Sequence, residues 1–474
     1  MSNTYDYDFI VIGSGPGGQK AAIQGAKSGK KVALVERARD IGGECLFHGT
    51  IPSKTLREAA LNVTNLRSVS NIFNYELRSD LEIHSLMGRL DQVLDLQKTS
   101  IKEQLIRNDI ELIHGKAQLV GANEILVKHI DGTTSTITSK FIVIATGSRP
   151  RRPPEIPVDH EHILDSDSIL SMIYLPQSLT VLGGGVISSE YASIFALLGV
   201  KVTMIDRAPR PLMFMDPELV TSYLEHFKEN GGVHFGGAEI ESVEWDGVSQ
   251  VITRLASGRV VSSDKLLVAL GRLANVEGLG LEDLTIEQTN RGHIVVDDYY
   301  RTSIPNIYAV GDVIGRPSLA ASAMEQGRRA VCHALGLDTG IDFNLLPIGI
   351  YAIPEMASVG LSEEAAREQY GEVVVGKARI SEIARAQISG ATTGLLKLVV
   401  APDGKKLLGV HIVCQGASDL IHAGELALLN GNNVEIFREN VLNFPTMSQA
   451  YRNAALDVFN QLNKRRREAA AVMA

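Results

Sequence analysis

Between Gly42 and Lys54 the chain reads GGECLFHGTIPSK, which contains Cys45, one of only three cysteines in 474 residues. A thiol just past a phosphate-binding pattern suggests redox chemistry, because a thiol pair can store two electrons as a disulfide. Here the second thiol is missing. Gly49 comes four residues after Cys45, and Thr50 follows. Cys332 and Cys414 lie in apolar helix-like and strand-like runs, where packing is the expected role. Three cysteines so far apart make neither a disulfide framework nor a zinc site, and no metal is expected. His48 shares the neighbourhood of Cys45 but has no evident partner in the sequence, so it reads as structural.

The elements that position this stretch precede it. DFIVIGSGPGGQKAAIQGAKSGKKVALVER, residues 8–37, is an apolar strand, a Gly13-x-Gly15-x-x-Gly18 turn, a helical run, a second strand and then Glu36. Gly13 permits the tight turn, Gly15 lets backbone approach a pyrophosphate, and Gly18 lets helix and strand pack closely. The pyrophosphate would meet free N–H groups at the helix start, and Glu36 would accept ribose hydroxyls. The pattern recurs in LTVLGGGVISSEYASIFALLGVKVTMIDR, residues 179–207. Gly13 corresponds to Gly183, Gly15 to Gly185, Gly29 to Gly199, Val32 to Val202, Glu36 to Asp206 and Arg37 to Arg207, always 170 residues on. Two dinucleotide sites follow. The second departs at Ser188, where a third glycine is expected, and a small residue is still tolerable there.

Other landmarks split the first unit. KFIVIATGSRP (140–150) is a buried strand ending at Thr146-Gly147, and the proline-rich PRRPPEIP (150–157) reads as a linker. A further strand begins at 266, and another leads into Gly311-Asp312 and a helix starting near Ser318. The last third is strand-rich, with a hairpin turn at Pro402-Asp403-Gly404 and helices near 417–430 and 447–463. It reads as a separate α+β domain able to carry a dimer interface.

Composition narrows the partners. The net charge of -9 disfavours a general nucleic-acid binder, and KRRRE at 464–468 reads as a solvated helix end. The start of the chain has no positive n-region, and no apolar run approaches the ~20 residues of a membrane span. A cytoplasmic protein with no membrane partner is the expectation.

With these motifs in place, the chain resembles the flavoprotein reductases with two dinucleotide-binding domains, such as dihydrolipoamide dehydrogenase, glutathione reductase and mercuric reductase, over essentially its whole length. The resemblance implies an α/β fold with two Rossmann-like dinucleotide-binding domains, for FAD and NAD(P), and a C-terminal α+β dimerisation domain. It places a first FAD-binding part at 1–150, an NAD(P)-binding domain at 151–275, a second FAD-binding part at 276–345 and the interface domain at 346–474. Gly13, Gly15, Gly18 and Glu36 would hold the ADP half of FAD, and Asp312 the chain on its flavin side. Lys54, paired with Glu190, would lie beside flavin N5 and help set its potential. The helix after Ser318 would aim its N-terminus at the flavin N1–O2 edge. The implied cofactor-binding set further takes in Pro16, Gly17, Arg37, Gly43, Cys45, Ala117, Thr146, Gly147, Gly183, Gly185, Ile187, Asp206, Arg207, Gly271, Gly311 and Ala320. Cys45, Thr50, Lys54 and Glu190 are the candidate catalytic residues, with Thr50 lining the flavin pocket.

The disulfide reductases of this family also need a second cysteine, a histidine from the partner subunit and a glutamate that orients it. Those positions here are Thr50, Phe444 and Gln449. A hydroxyl cannot replace the sulfur and phenylalanine cannot move a proton, so the onward path to a dithiol is gone. Phe444 is expected to fill the partner's pocket in place of the imidazole. The soluble (Si-specific) pyridine nucleotide transhydrogenases of this superfamily resemble the chain in detail at 165–172, 190–195, 311–323, 383–388 and 444–456. That resemblance implies FAD-dependent hydride transfer between NADPH and NAD+, in a homodimer or larger homo-oligomer. An NAD(P)H:quinone or dye reductase and a non-catalytic nucleotide-binding partner are the alternatives. Asp206 favours NAD. Arg207 either offsets repulsion of a 2′-phosphate or is a surface residue like Arg37.

Overall fold

The computed structural model describes residues 5–73, 83–340 and 345–473. Residues 341–344, inside the 276–345 segment, lie outside the described residues.

The sequence repeat is a repeat of structure. The first unit has strand Tyr7–Ile12, helix Pro16–Lys27 and strand Val32–Glu36; the second has Ser178–Leu182, Val186–Leu197 and Lys201–Ile205. Both helix boundaries are displaced by the same 170 residues as the glycines. The reason is local: each helix begins one residue after its second glycine and ends where the glycine at 29 or 199 turns the chain back at positive φ.

The first sheet runs, edge to edge, Glu111–His114, Val32–Glu36, Tyr7–Ile12, Thr134–Ile144, Glu124–Lys128 and Lys116–Gly121, with Ile307–Ala309 also pairing with Thr134–Ile144. Phe9, Ile10, Val11, Ala33 and Leu34 are fully buried, as expected for parallel strands covered on both faces. Its long central strand begins at Thr134, earlier than the apolar run from 140 suggests, because its polar half pairs with Glu124–Lys128. Helix Ala320–Ala334 crosses helix Pro16–Lys27 through glycines. A Cβ on Gly327 would meet the Gly17 carbonyl oxygen at 2.1 Å. This contact brings the start of the later helix to the first glycine loop. That helix starts at Ala320, two residues beyond the sequence expectation, because Ser318 takes a left-handed φ of 52°.

The second sheet is wholly parallel: Val233–Phe235, Lys201–Ile205, Ser178–Leu182, Lys265–Val268 and Ile163–Asp165. The short strands Ser148–Pro150 and Arg272–Ala274 pair antiparallel where the chain leaves and re-enters the first unit. The C-terminal sheet is antiparallel, in the order Ile348–Ile350, Met356–Gly360, Leu407–Val413, Leu395–Val400, Val374–Arg379. Helices Ala417–Leu429 and Gln449–Met473 cover it. An apolar face of Leu426, Leu429, Ile436, Val441 and Phe444 remains exposed on this part. Among the described residues, no helix is long and apolar enough to cross a membrane.

Candidate functional site

The first glycine loop shows where it is closed and where it is open. A Cβ on Gly13 would meet the Ala145 carbonyl oxygen at 2.4 Å, and one on Gly18 would meet that of Gly13 at 1.9 Å. A Cβ on Gly15 would meet nothing within 4 Å, so the free face of the loop lies at Gly15. Pro16 opens the helix where a missing N–H costs nothing. Gly43 packs on Gly15 from the next short helix, Gly43–Phe47. Glu36 is buried and locked: its Oε2 accepts from Ser14 N at 2.8 Å and Ser14 Oγ at 2.6 Å, and its Oε1 accepts from Ala38 N at 2.9 Å. A carboxylate has about four acceptor positions, so one stays open, on Oε1.

The segment from Gly42 brings Cys45 and Thr50 together. The Thr50 side chain stands beside the Cys45 thiol. Burial raises the thiol above its ordinary value, against the opposing pull of the Thr50 hydroxyl and of the Lys54 charge. The three cysteines are free; Cys414 is buried in the apolar core of the C-terminal part, whereas the buried Cys332 sulfur accepts from Arg328 Nη1 at 3.6 Å. His48 does have a partner, Glu44, one helical turn back at 3.0 Å. That hydrogen bond raises the imidazole above its ordinary value. Burial works to raise the Glu44 carboxyl, yet His48, Arg272 and Arg37 leave it below the usual range.

Lys54 lies in helix Thr50–Phe73 and Glu190 in helix Val186–Leu197, and their side chains meet at 2.6 Å. Glu190 Oε1 also accepts from Tyr351 N at 2.9 Å, and Lys54 Nζ sits 4.8 Å from the centre of the Tyr351 ring. Lys54 Nζ also donates to Ser53 Oγ at 3.4 Å; Glu190 is 6% exposed at its side chain and Lys54 25%, so the lysine remains partly open to solvent. Asp312 accepts from Ser148 Oγ at 2.7 Å, and Arg272 holds the same serine through its Oγ and carbonyl oxygen. Thr146 Oγ1 is buried with no partner among the described residues. Gly147, Gly271 and Gly311 take positive φ around this region. Ala117 is buried within Lys116–Gly121, and Arg37 is exposed.

The second loop differs in one instructive way. Gly184 stands where Ser14 stands in the first unit. A Cβ there would meet Asp206 Oδ2 at 2.1 Å, so the carboxylate lies against bare backbone. Among the described residues Asp206 has no side-chain hydrogen bond, whereas Glu36 has three. Gly185, like Gly15, has open space over its Cα. Ser188 is buried and returns its hydroxyl to the Gly185 carbonyl oxygen at 2.9 Å, which satisfies the group that replaces the third glycine. Ile187 is partly exposed beside it. Arg207 is 80% exposed at its side chain and pairs with Glu239 at 3.2 Å. Sequence reasoning missed Ser14, Ser148 and Tyr351. The Ser14–Gly184 mismatch within the repeat was a usable signal for the first; the other two depend on long-range contacts.

Two glycine loops, each with a strand-terminal acid beside it, and a part-buried lysine–glutamate pair between helices Thr50–Phe73 and Val186–Leu197 define a protein built around two dinucleotides. The chain matches the pyridine nucleotide-disulphide oxidoreductase family over residues 7–327 and that family's dimerisation domain over residues 346–455, and it belongs to this family. It is 44% identical over 460 residues to a soluble pyridine nucleotide transhydrogenase of Mycobacterium bovis, covering 96% of this chain and 98% of that one. Another soluble pyridine nucleotide transhydrogenase, from Colwellia psychrerythraea, is 41% identical over 98% of this chain and 100% of its own. Among solved structures, LpdA of Mycobacterium tuberculosis superposes with a TM-score of 0.88 at 28% identity, covering 94% of this chain and 99% of that one. The HOCl-induced flavoprotein disulfide reductase RclA of Escherichia coli superposes with a TM-score of 0.85 at 26% identity, covering 95% and 99%.

Proposed function

We propose that this chain is a soluble pyridine nucleotide transhydrogenase that moves hydride between NADPH and NAD+, in either direction, through bound FAD. The observation that carries the reading is the Cys45–Thr50 pair. A hydroxyl beside the lone thiol leaves no sulfur pair to receive electrons. The names of relatives at 41% and 44% identity support the same conclusion.

The first unit suits FAD as a resident group. Open space at Gly15, the remaining acceptor position on Glu36 and the unpartnered Thr146 hydroxyl fit its pyrophosphate, ribose and ring side. When bound, FAD supplies the two-electron relay between one nicotinamide and the next. Residues 1–150 and 276–345 form its domain. Lys54, oriented by Glu190 and Tyr351, would place positive charge beside the reacting edge. The N-terminus of helix Ala320–Ala334 adds a favourable partial charge. The second unit, 151–275, takes the exchangeable nucleotide: Asp206, whose carboxylate has no hydrogen-bond partner among the described residues, receives the ribose hydroxyls. Arg207, held only by an exposed ion pair, offsets the charge of a 2′-phosphate. Residues 346–474 form a homodimer in which Phe444, 75% exposed in the single chain, fills the partner's pocket in place of the family's imidazole. The protein acts in the cytoplasm.

Anaerobic reduction by NADH and by NADPH, in separate experiments, tests the reading. Both nucleotides should bleach the flavin with no long-wavelength thiolate–flavin band. Turnover of lipoamide or glutathione disulfide at enzymatic rates would reject it.

A further inference from the structure

One largely buried ionic cluster lies outside the glycine loops. Lys397, on the C-terminal strand Leu395–Val400, is 2% exposed, and its ammonium meets three carboxylates: Asp216 at 2.8 Å, Glu218 at 3.1 Å and Glu363 at 2.6 Å. Asp216 is wholly buried and Glu363 belongs to helix Glu363–Tyr370 of the same C-terminal part. The cross-strand registers explain why the cluster exists. Ser358, His411, Lys397 and Lys377 lie side by side across four strands of one sheet. Two lysines directly opposite each other repel. The repulsion is relieved by carboxylates from another part of the chain, since Glu218 bonds Lys377 as well as Lys397. Asp216 and Glu218 sit at the start of helix Pro217–Glu229 in the second dinucleotide unit, where Asp216 caps the helix by accepting from Glu218 N at 2.9 Å.

Ten residues separate Asp216 from Asp206, the acid at the second glycine loop. The connection between them is stiff. Leu212 N donates to the Gly184 carbonyl oxygen at 2.7 Å, and Gly237 N to that of Ala208 at 3.0 Å. The Arg210 guanidinium spans the carbonyl oxygens of Leu212, Met213 and Met215. Leu212 itself is 1% exposed and takes a left-handed φ of 49°, a strained state for a leucine. Such a conformation persists only when its surroundings hold the segment in place. Gly184 fixes the segment at Leu212 itself, and Lys397 fixes its far end at Asp216.

We propose that Lys397 is a positioning residue for the nicotinamide nucleotide: through Asp216 it holds segment 206–216 against the second glycine loop, so that the C-terminal domain sets the geometry of the nucleotide pocket. The proposal rests on the reading of the second unit as the nucleotide site. It makes nucleotide affinity depend on a residue that touches no nucleotide and belongs to a different domain.

The double variant Lys397→Met/Asp216→Asn tests it. It keeps an acceptor at the helix cap and leaves no charge buried alone, since Glu218 keeps Lys377 and Glu363 keeps Arg367. The expected result is a rise of about tenfold in KM for both NADH and NADPH, with the limiting rate of flavin reduction within about twofold of the parent. A clamp that only stabilises the fold would lower the thermal midpoint and leave KM unchanged, and that outcome overturns the proposal. If the double variant fails to fold, Glu363→Gln weakens the same cluster from a partly exposed position. It should raise KM about twofold to threefold, and no change there also overturns it. Asp206→Ala is the control for the underlying reading. A raised KM for NADH in this control, with none in the Lys397 variants, rejects the positioning role alone. No change in the control rejects the nucleotide site itself.

Discussion

Replacing Lys54 by methionine removes the cation from the Lys54–Glu190 pair while keeping the length of the side chain. Glu190, 6% exposed at its side chain, then retains only the Tyr351 N–H at 2.9 Å. Stranding a buried carboxylate costs about 3–5 kcal/mol, and the partial exposure of Lys54 places this case near ~3. Spread over a cooperative unit of about 150–250 residues, that loss lowers the thermal midpoint by about 6–12 °C. The same change removes the positive charge proposed to lie beside the reacting edge, which should slow anaerobic flavin reduction by about a hundredfold in stopped flow. Glu190→Gln should cost less, about 1 kcal/mol, because the amide oxygen still accepts from Tyr351 and a quarter of Lys54 already reaches water. The double variant carries no stranded charge and should recover about 1.5 kcal/mol or more of the single Lys54→Met loss. Lys54→Met with a midpoint within about 2 °C of the parent and a reduction rate within about twofold would refute the reasoning, since the pair would then hold neither the domains nor the reacting edge.

Gly15→Ala should leave the apoprotein's thermal midpoint nearly unchanged, because an added Cβ meets nothing, yet weaken FAD by about tenfold or more in a rebinding titration. Gly13→Ala should instead destabilise the apoprotein, since its φ of +103° and the Ala145 carbonyl oxygen at 2.4 Å both forbid the side chain. Tyr191→Phe should stabilise the protein by about 1 kcal/mol in thermal unfolding, because the buried hydroxyl has no partner among the described residues. The Glu44–His48 contact should be pH-dependent. The hydrogen bond to Glu44 raises the folded imidazole, so its contribution is complete below the unfolded value near ~6.5 and fades as pH climbs through the folded one. The midpoint difference between the parent and His48→Gln should accordingly be larger at pH ~6 than at pH ~8.5.

Features set by near neighbours were legible in the sequence. The two βαβ units could be recognised because a positive-φ turn, a close helix–strand contact and a strand-terminal acid each demand a residue type at a fixed spacing. The helices 16–27 and 186–197 therefore keep the 170-residue offset of their glycines. The break at Thr50 was legible for the same reason: both partners lie on one short segment. The carboxylates tell the opposite story. Glu36 and Asp206 occupy matching positions in the repeat, but only the structure shows one locked by Ser14 and the other bare against Gly184. The Lys54–Glu190 contact spans 136 residues and was expected only through a family resemblance. Lys397, a charged residue in an otherwise apolar strand, gave no sign that it would meet Asp216, 181 residues earlier. Turns and helix ends are decided within a few residues by sterics and backbone hydrogen bonding. A buried charge finds its partner only when separate sheets dock in one register, and that register is a property of the assembled fold.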